Sequence, residues 1–350
     1  MEKQTIDKLL KKLKNINQDE IRNFNVVLLP DFFVDHFLTF KNLDETIVKI
    51  KKVYEQGGGN IPNVLQKINQ GGNSANTALA LAKLGISSHL ICRTDELGFN
   101  LLKFFLGKKD VDISHVKKDG KLAITTAFEF ENKNANIMIG DTGSVSNFSF
   151  EDLDKNDLDL IARSDLLCVT TWNLNKEGSM LAKKAFNFAK KNNTITYFDI
   201  GDPSTKPNEI NSLLENVLKD NNLDILGLNE NEIQYLSGQK VSTNDELIKV
   251  ARQLKEKING RIDLHTQDFT CSIKTNPIIV PSIEISEKYR STGAGDAWNA
   301  GNIFGELLGF NDNERLFFAN CVAGLYISSS KPIHPNLDGI IKYLNDLGKI

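Results

Sequence analysis

Apolar residues along this chain fall into two alternating patterns. Short solid runs at residues 26–29, 166–169 and 225–228 are bounded by polar residues, which marks strands buried on both faces. Longer stretches at 73–84, 98–106 and 176–191 carry apolar residues at helical spacing. Further strands are predicted at 88–91, 194–198 and 262–265. The repeated order of strand and helix predicts an α/β fold: a mostly parallel sheet with helices on both faces. Two regions break this rhythm. Residues 33–40 and 122–139 alternate as strands with no helix between them, the second turning at 132–136, and they predict a small sheet of their own. Near the start, Ile6, Leu9, Leu10, Leu13 and Ile16 fall at helical spacing in a Lys-rich segment. They predict an amphipathic helix within residues 1–23 packed on a body that begins at about residue 24, with a partner-binding arm as the alternative.

Composition narrows the class. A chain of 350 residues fits one large α/β domain with a small appendage, or two domains. The formal net charge of −3 gives no electrostatic case for nucleic acid or an anionic membrane as partner. Cys92, Cys168, Cys271 and Cys321 are scattered with no C-x-x-C, so buried thiols and a reducing, cytoplasmic location are expected. The histidines show no metal-ligand spacing. No run of apolar residues is long enough for a membrane span, and the N-terminal segment lacks the apolar core of a signal peptide.

The candidate chemistry lies in two glycine turns that each run into a helix. Residues 291–301 read Ser-Thr-Gly-Ala-Gly-Asp-Ala-Trp-Asn-Ala-Gly. A helix start offers unpaired N–H groups and the positive end of the dipole, and small residues let an anion approach them. Gly293, Ala294 and Gly295 therefore form a candidate phosphate pocket, with Asp296 aimed into it. A carboxylate beside an anion hole makes sense as the base that takes a hydroxyl proton during phosphoryl transfer. A plain glycine turn with an Asp cap is the alternative. The second turn, Gly71-Gly72-Asn73-Ser74-Ala75-Asn76, leads into an Ala-rich helix. Asn73 and Asn76 near its start can present amides to a polar ligand, or simply cap a core helix. Asp199, Asp202 and Asn173 follow predicted strands, where a parallel sheet presents its ligand crevice.

Together these two segments resemble the signatures of the ribokinase-like carbohydrate kinase (PfkB) family, an early GG-x-x-x-N-x-A and a late T-G-A-G-D. Other segments extend the likeness over about residues 24–346: Asp31-Phe32-Phe33-Val34-Asp35, Asp95-Glu96-Leu97-Gly98, Asn229-Glu230-Asn231-Glu232 and Ala319-Asn320-Cys321. The resemblance implies a three-layer α/β/α fold with a mostly parallel sheet and a small β lid formed by residues 33–40 and 122–139. It implies an ATP-dependent kinase for a sugar or a sugar-containing small molecule. Asp296 would be the base, with Gly293, Ala294 and Gly295 around the transferring phosphate. Asp35, Gly72, Asn73, Asn76 and Asn173 would bind the acceptor. Asn229, Thr266 and Asn320 would lie near the nucleotide, and Glu232 would organise Mg²⁺ through water. A homodimer through the lid is a further implication.

The chain departs from the family pattern in four places. Pro30 and Arg93 stand where glycines are usual. The nucleotide loop T-x-G-x-x-G reads His265-Thr266-Gln267-Asp268-Phe269-Thr270, without either glycine. Arg290 replaces an Asp that helps build a monovalent-cation site in members that have one, and a guanidinium repels such an ion. Three other readings stay open: a nucleoside kinase of the same family, an ADP-dependent sugar kinase, and a catalytically silent sugar-binding or scaffold protein.

Overall fold

The structure, a computed structural model, describes residues 3–107, 111–132 and 135–347. Its strands in chain order are β1 (Asn25–Leu29), β2 (Phe33–Phe40), β3 (Leu65–Gly71), β4 (Ser87–Leu90), β5 (Val111–Asp112), β6 (Ala123–Phe130), β7 (Ala135–Asp141), β8 (Leu166–Val169), β9 (Ile195–Asp199), β10 (Ile225–Leu228), β11 (Arg261–His265), β12 (Phe269–Ile273) and β13 (Pro277–Pro281). Among the described residues nine of them form one sheet in the order β13-β12-β11-β10-β9-β8-β1-β4-β5. It is parallel from β5 to β11, and β12 runs antiparallel between β11 and β13.

The run Val26–Leu29 is apolar throughout because β1 lies inside this sheet, between β8 and β4. Alternation along the strand sends Val26 and Leu28 into one core and Val27 and Leu29 into the other. The first core contains the helices Asn73–Leu84, Ala294–Leu307 and Asp312–Ile327, the second the helices Lys155–Arg163, Gly178–Lys191 and Asn244–Lys255. This is the ribokinase-like layered α/β/α arrangement.

Small residues set the geometry of the first core. A Cβ on Gly301 would lie 2.7 Å from Ala319 Cα, so the helices Ala294–Leu307 and Asp312–Ile327 touch backbone to backbone at that point. The Ala-rich helix Asn73–Leu84 packs on Ala294–Leu307 as well. Buried Asp263 on β11 ties Arg315 to the sheet at 2.7 Å. At the N-terminus, Ile6, Leu9, Leu10 and Leu13 of helix Lys3–Asn15 are buried, against the helices Leu337–Leu347 and Asp312–Ile327. No helix among the described residues is long and apolar enough to cross a membrane. All four cysteines are buried and free.

The second sheet is the lid, ordered β3-β2-β6-β7. Its central pair β2–β6 is parallel and its outer pairs are antiparallel. The two alternating segments read from the sequence supply three of its strands. The fourth, β3, was not expected, because Leu-Gln-Lys-Ile-Asn-Gln-Gly has one β-branched residue and no clear alternation. Helix Leu43–Glu55, between β2 and β3, was also not anticipated. Of the turn expected at 132–136, residues 133 and 134 lie outside the described residues. Helix Glu96–Leu106 begins two residues earlier than its apolar spacing suggests, since Asp95 caps it by accepting from Gly98 N at 2.8 Å.

Candidate active site

The crevice is built where the parallel strands end and two helices begin, with the lid beside it. Its floor starts with Asp31, just past β1. This buried carboxylate accepts from Asn73 N at 2.8 Å, Ser74 N at 2.9 Å and Thr170 Oγ1 at 2.7 Å. It thereby fixes the start of helix Asn73–Leu84 and joins it to the loop after β8. Gly72 precedes that helix at φ +96°, and a Cβ there would lie 2.9 Å from Phe32 Cα. Only glycine suits both the backbone angle and the close approach.

Asp296 stands in the first turn of helix Ala294–Leu307, next to the start of the Asn73–Leu84 helix. Its Oδ2 accepts from Asn76 Nδ2 at 2.9 Å. Burial pushes its carboxyl well above the usual range. Asp199 adds repulsion, the Asn76 hydrogen bond partly offsets the rise, and Asp31 and Asp35 add to it. Gly293 takes φ +80° and lets the chain enter the helix. The Ala294 N–H donates to Ser291 O at 3.2 Å. The N–H groups of Gly295 and Asp296 lie in the first turn, where a helix offers no main-chain acceptor.

Asp35 reaches the same crevice from the lid. It shares a face of the lid with Asn69 and Thr125. Its carboxyl is raised to about 6 by burial, lowered by a hydrogen bond from Thr125, and raised by Asp31. Asp199, at the end of β9, accepts from Asn299 Nδ2 at 2.6 Å and Gly201 N at 2.9 Å, and burial raises it too. Glu232 completes the set. Both its oxygens accept from Asn229, from the N–H and from Nδ2, each at 2.8 Å. The pair forms a reciprocal cap on helix Glu230–Ser237. Burial and then Asp199 push Glu232 far up. None of the ion pairs among the described residues includes Asp31, Asp35, Asp199, Glu232 or Asp296.

Other sequence candidates have protein partners. Asn76 was expected to face the acceptor, yet its amide lies between Gln70 Nε2, at 3.2 Å, and Asp296. Thr266 Oγ1 donates to Phe269 O and accepts from Phe269 N, closing the β11–β12 turn. Buried Asn320 accepts from Trp298 Nε1 at 3.0 Å and donates to Pro281 O at 3.1 Å. Asn173 lies in the loop after β8, its N–H donating to Ile200 O and its side chain against Gly201. Arg93 sits apart, paired with Asp152 and Asp119. Arg290 donates to Tyr326 O at 3.0 Å and Lys331 O at 2.7 Å, so a guanidinium fills a nest of carbonyls behind Gly293. Sequence reading missed Thr170, Thr125 and His265. Thr170 and His265 follow or end parallel strands, and that position was the available signal.

Comparison with known proteins identifies the family. The model of the pfkB family carbohydrate kinases matches residues 43–338, and the chain belongs to that family. A 5-dehydro-2-deoxygluconokinase of Geobacillus thermodenitrificans (strain NG80-2) is 23% identical over 288 residues, covering 79% of this chain and 84% of that protein. A protein of the same name from Mesomycoplasma hyopneumoniae (strain 7448) is 34% identical over 136 residues, 37% of this chain and 39% of its own. In structure, the chain is similar to Arabidopsis thaliana ribokinase complexed with ribose and ATP, with TM-score 0.74, 19% identity, and coverage of 92% of this chain and 98% of that one. It is also similar to adenosine kinase from Sinorhizobium meliloti, with TM-score 0.73, 17% identity, and coverage of 93% and 99%.

The buried carboxyl of Asp296 has a consequence for stability. Its folded-state pKa is raised above the ordinary 3.8, so folding favours the protonated form. That contribution is complete below the unfolded value and is lost as pH rises through the folded value. Asparagine carries no charge and still accepts from Asn76. The melting temperature of Asp296→Asn should exceed that of the unaltered chain at about pH 8, with the gap closing toward about pH 4. Equal melting at the higher pH would show that this carboxyl is not penalised.

Proposed function

We propose that this pfkB-family carbohydrate kinase moves the terminal phosphoryl group of ATP to a hydroxyl of a sugar or sugar-containing small molecule held between the lid and the strand ends. The observation that carries this reading is Asp296, a buried carboxylate in the first turn of a helix, held by Asn76 and in no ion pair among the described residues. Such a group is poor at staying ionised and therefore suited to taking a proton. The acceptor oxygen forms its bond to the terminal phosphorus, and its proton passes to Asp296. The bond to the bridging oxygen breaks, and ADP leaves. The N–H groups of Gly295 and Asp296, with Gly293 shaping the turn, stabilise charge on the phosphoryl oxygens. Asp35 accepts hydrogen bonds from hydroxyls of the acceptor, since one carboxylate serves two hydroxyls. Asn73 and Asn173 line the same side, Gly72 lets the acceptor approach the backbone, and Asn76 holds the base. Asn229, Thr266 and Asn320 shape the walls on the nucleotide side.

A divalent ion fits the residues only in one way. Among the described residues no three groups stand ready to hold a metal directly, and both oxygens of Glu232 already accept from Asn229. Yet Asp199 and Asp202 both repel Glu232. That donor set suits Mg²⁺ arriving on the nucleotide with its water shell, with Glu232 accepting from those waters. The ion would neutralise phosphate charge. With Arg290 among carbonyls, no potassium requirement is expected. The nucleoside-kinase reading is supported by the likeness to adenosine kinase, because a nucleoside presents a ribose to the same Asp35.

The outer face of the lid supports self-association. Ile68, Ile124, Ile137 and Ile139 are exposed, and strand register puts them on the face opposite Asp35. An apolar strip of this kind on a small sheet favours a second copy of the chain as cover.

Four measurements test these readings. A panel of sugars and nucleosides with ATP, with and without Mg²⁺ and in sodium or potassium buffer, should yield a phosphorylated product only with Mg²⁺ and equally in both buffers. With the acceptor so found, Asp296→Asn should cut kcat by about two to four orders of magnitude, while nucleotide binding survives. Turnover within a few-fold of wild type would remove Asp296 from the reaction. The acceptor KM should be flat above about pH 7 and rise about tenfold per unit below pH 6, as Asp35 protonates at about 6 and loses acceptor capacity. A KM unchanged down to about pH 5 would place Asp35 elsewhere. Light scattering at micromolar concentration should give the mass of a dimer, and a monomer mass would count against the lid contact.

A further inference from the structure

The end of β11 places an imidazole over the first turn of helix Ala294–Leu307. The ring of His265 stacks on Trp298, with centroids 4.9 Å apart and planes inclined by 25°. The indole is itself fixed, because Trp298 Nε1 donates to Asn320 Oδ1 at 3.0 Å. This orientation gives the two ring nitrogens different surroundings. Nδ1 is buried and has no hydrogen-bond partner. Nε2 looks at the helix start, where a Cβ on Gly295 would lie 3.2 Å away.

Burial lowers the pKa of His265 to about 4, so the ring is neutral near pH 7 and carries one N–H. A proton on Nδ1 would be a buried donor without an acceptor, which is costly. A proton on Nε2 leaves Nδ1 as a bare lone pair and directs a donor over Gly295. The helix start adds a second reason. Its positive end disfavours an imidazolium and keeps the ring neutral. The result is an oriented N–H beside the turn that carries Asp296. The segment that follows, Thr266-Gln267-Asp268-Phe269, has no glycine whose backbone a nucleotide could approach closely.

We propose that His265 is a phosphate-binding residue of this kinase, donating from Nε2 to an oxygen of the nucleotide's phosphate chain above Gly295. The inference rests on the placement of the transferring phosphoryl group at the Gly293–Asp296 turn. It assigns the recognition of donor phosphates to a side chain on β11 in addition to helix amides. Trp298 and Asn320 act through it, as positioning residues that hold the imidazole plane.

Nucleotide binding tests this without knowledge of the acceptor. Calorimetric titration of the full chain with ATP, ADP and AMP in the presence of Mg²⁺ gives three affinities for each variant. His265→Phe keeps a flat ring on Trp298 and removes the donor. It should bind ATP about ten- to a hundredfold more weakly, bind AMP as the unaltered chain does, and melt at a higher temperature because the unpaired Nδ1 is gone. His265→Gln restores an N–H donor and should recover much of the ATP affinity. Unchanged ATP affinity in His265→Phe would overturn the inference. So would an equal loss for all three nucleotides, which would mark a general disturbance of the pocket. An unaltered chain that binds none of the three would overturn the donor reading itself, and this inference with it.

Discussion

Carboxylates that form no ion pair among the described residues are the constraint around which this crevice is organised. Asp31, Asp35, Asp199, Glu232 and Asp296 converge on the ends of the parallel strands, and four of them are pushed upward in pKa by burial and by one another. Isolated buried carboxylates are expensive. The chain offsets part of the cost with hydrogen bonds rather than ion pairs: main-chain N–H groups for Asp31, Asn299 for Asp199, Asn229 for Glu232 and Asn76 for Asp296. Amides hold a carboxylate in place without quenching its charge. The remaining repulsion favours proton uptake.

Backbone contact between small residues makes this convergence possible. The helices Asn73–Leu84, Ala294–Leu307 and Asp312–Ile327 approach closely because Ala and Gly face one another, with Gly301 against Ala319 the tightest point. The approach brings the starts of two helices side by side, so Asn76 of one reaches Asp296 of the other. The lid is coupled to the same place through the chain itself. β2 leaves the end of β1 through the turn that contains Asp31, and Asp31 holds the Asn73–Leu84 helix. Asp35 and the segment that carries Asn76 are thus joined through the same turn.

Two of the departures from the family pattern lie beside the Gly293–Asp296 turn, and each is held by contacts of its own. Arg290 brings a fixed positive charge to the carbonyls of Tyr326 and Lys331 behind Gly293. His265 brings a ring to the other side of the same turn, backed by Trp298. Arg290 and His265 are both held by neighbouring groups of the protein itself.

Much of this was legible in the sequence. Solid apolar runs fixed β1, β8 and β10, because a strand covered on both faces has no polar side to show. The glycine turns before residues 73 and 294 announced helix starts, since few other residues enter a helix through a positive φ. Asp35, Glu232 and Asp296 were singled out from motif order together with position, and all three are carboxyls raised by burial and by the charge of neighbouring acids. The tertiary structure alone decided the partners. Nothing local in Leu65–Gly71 marks a strand; β2 makes it one by offering an unpaired edge. Asn76 was given to a ligand because its sequence position shows a helix start, whereas its partner Asp296 stands 220 residues away. Asn320 and Thr266 found acceptors and donors within the protein for the same reason. His265 carried no signal beyond its place at a strand end, and it gained meaning only when Trp298 and Gly295 arrived beside it. Local sequence sets which backbone shapes are cheap, while hydrogen-bond partners and charge environment depend on residues that only folding brings together.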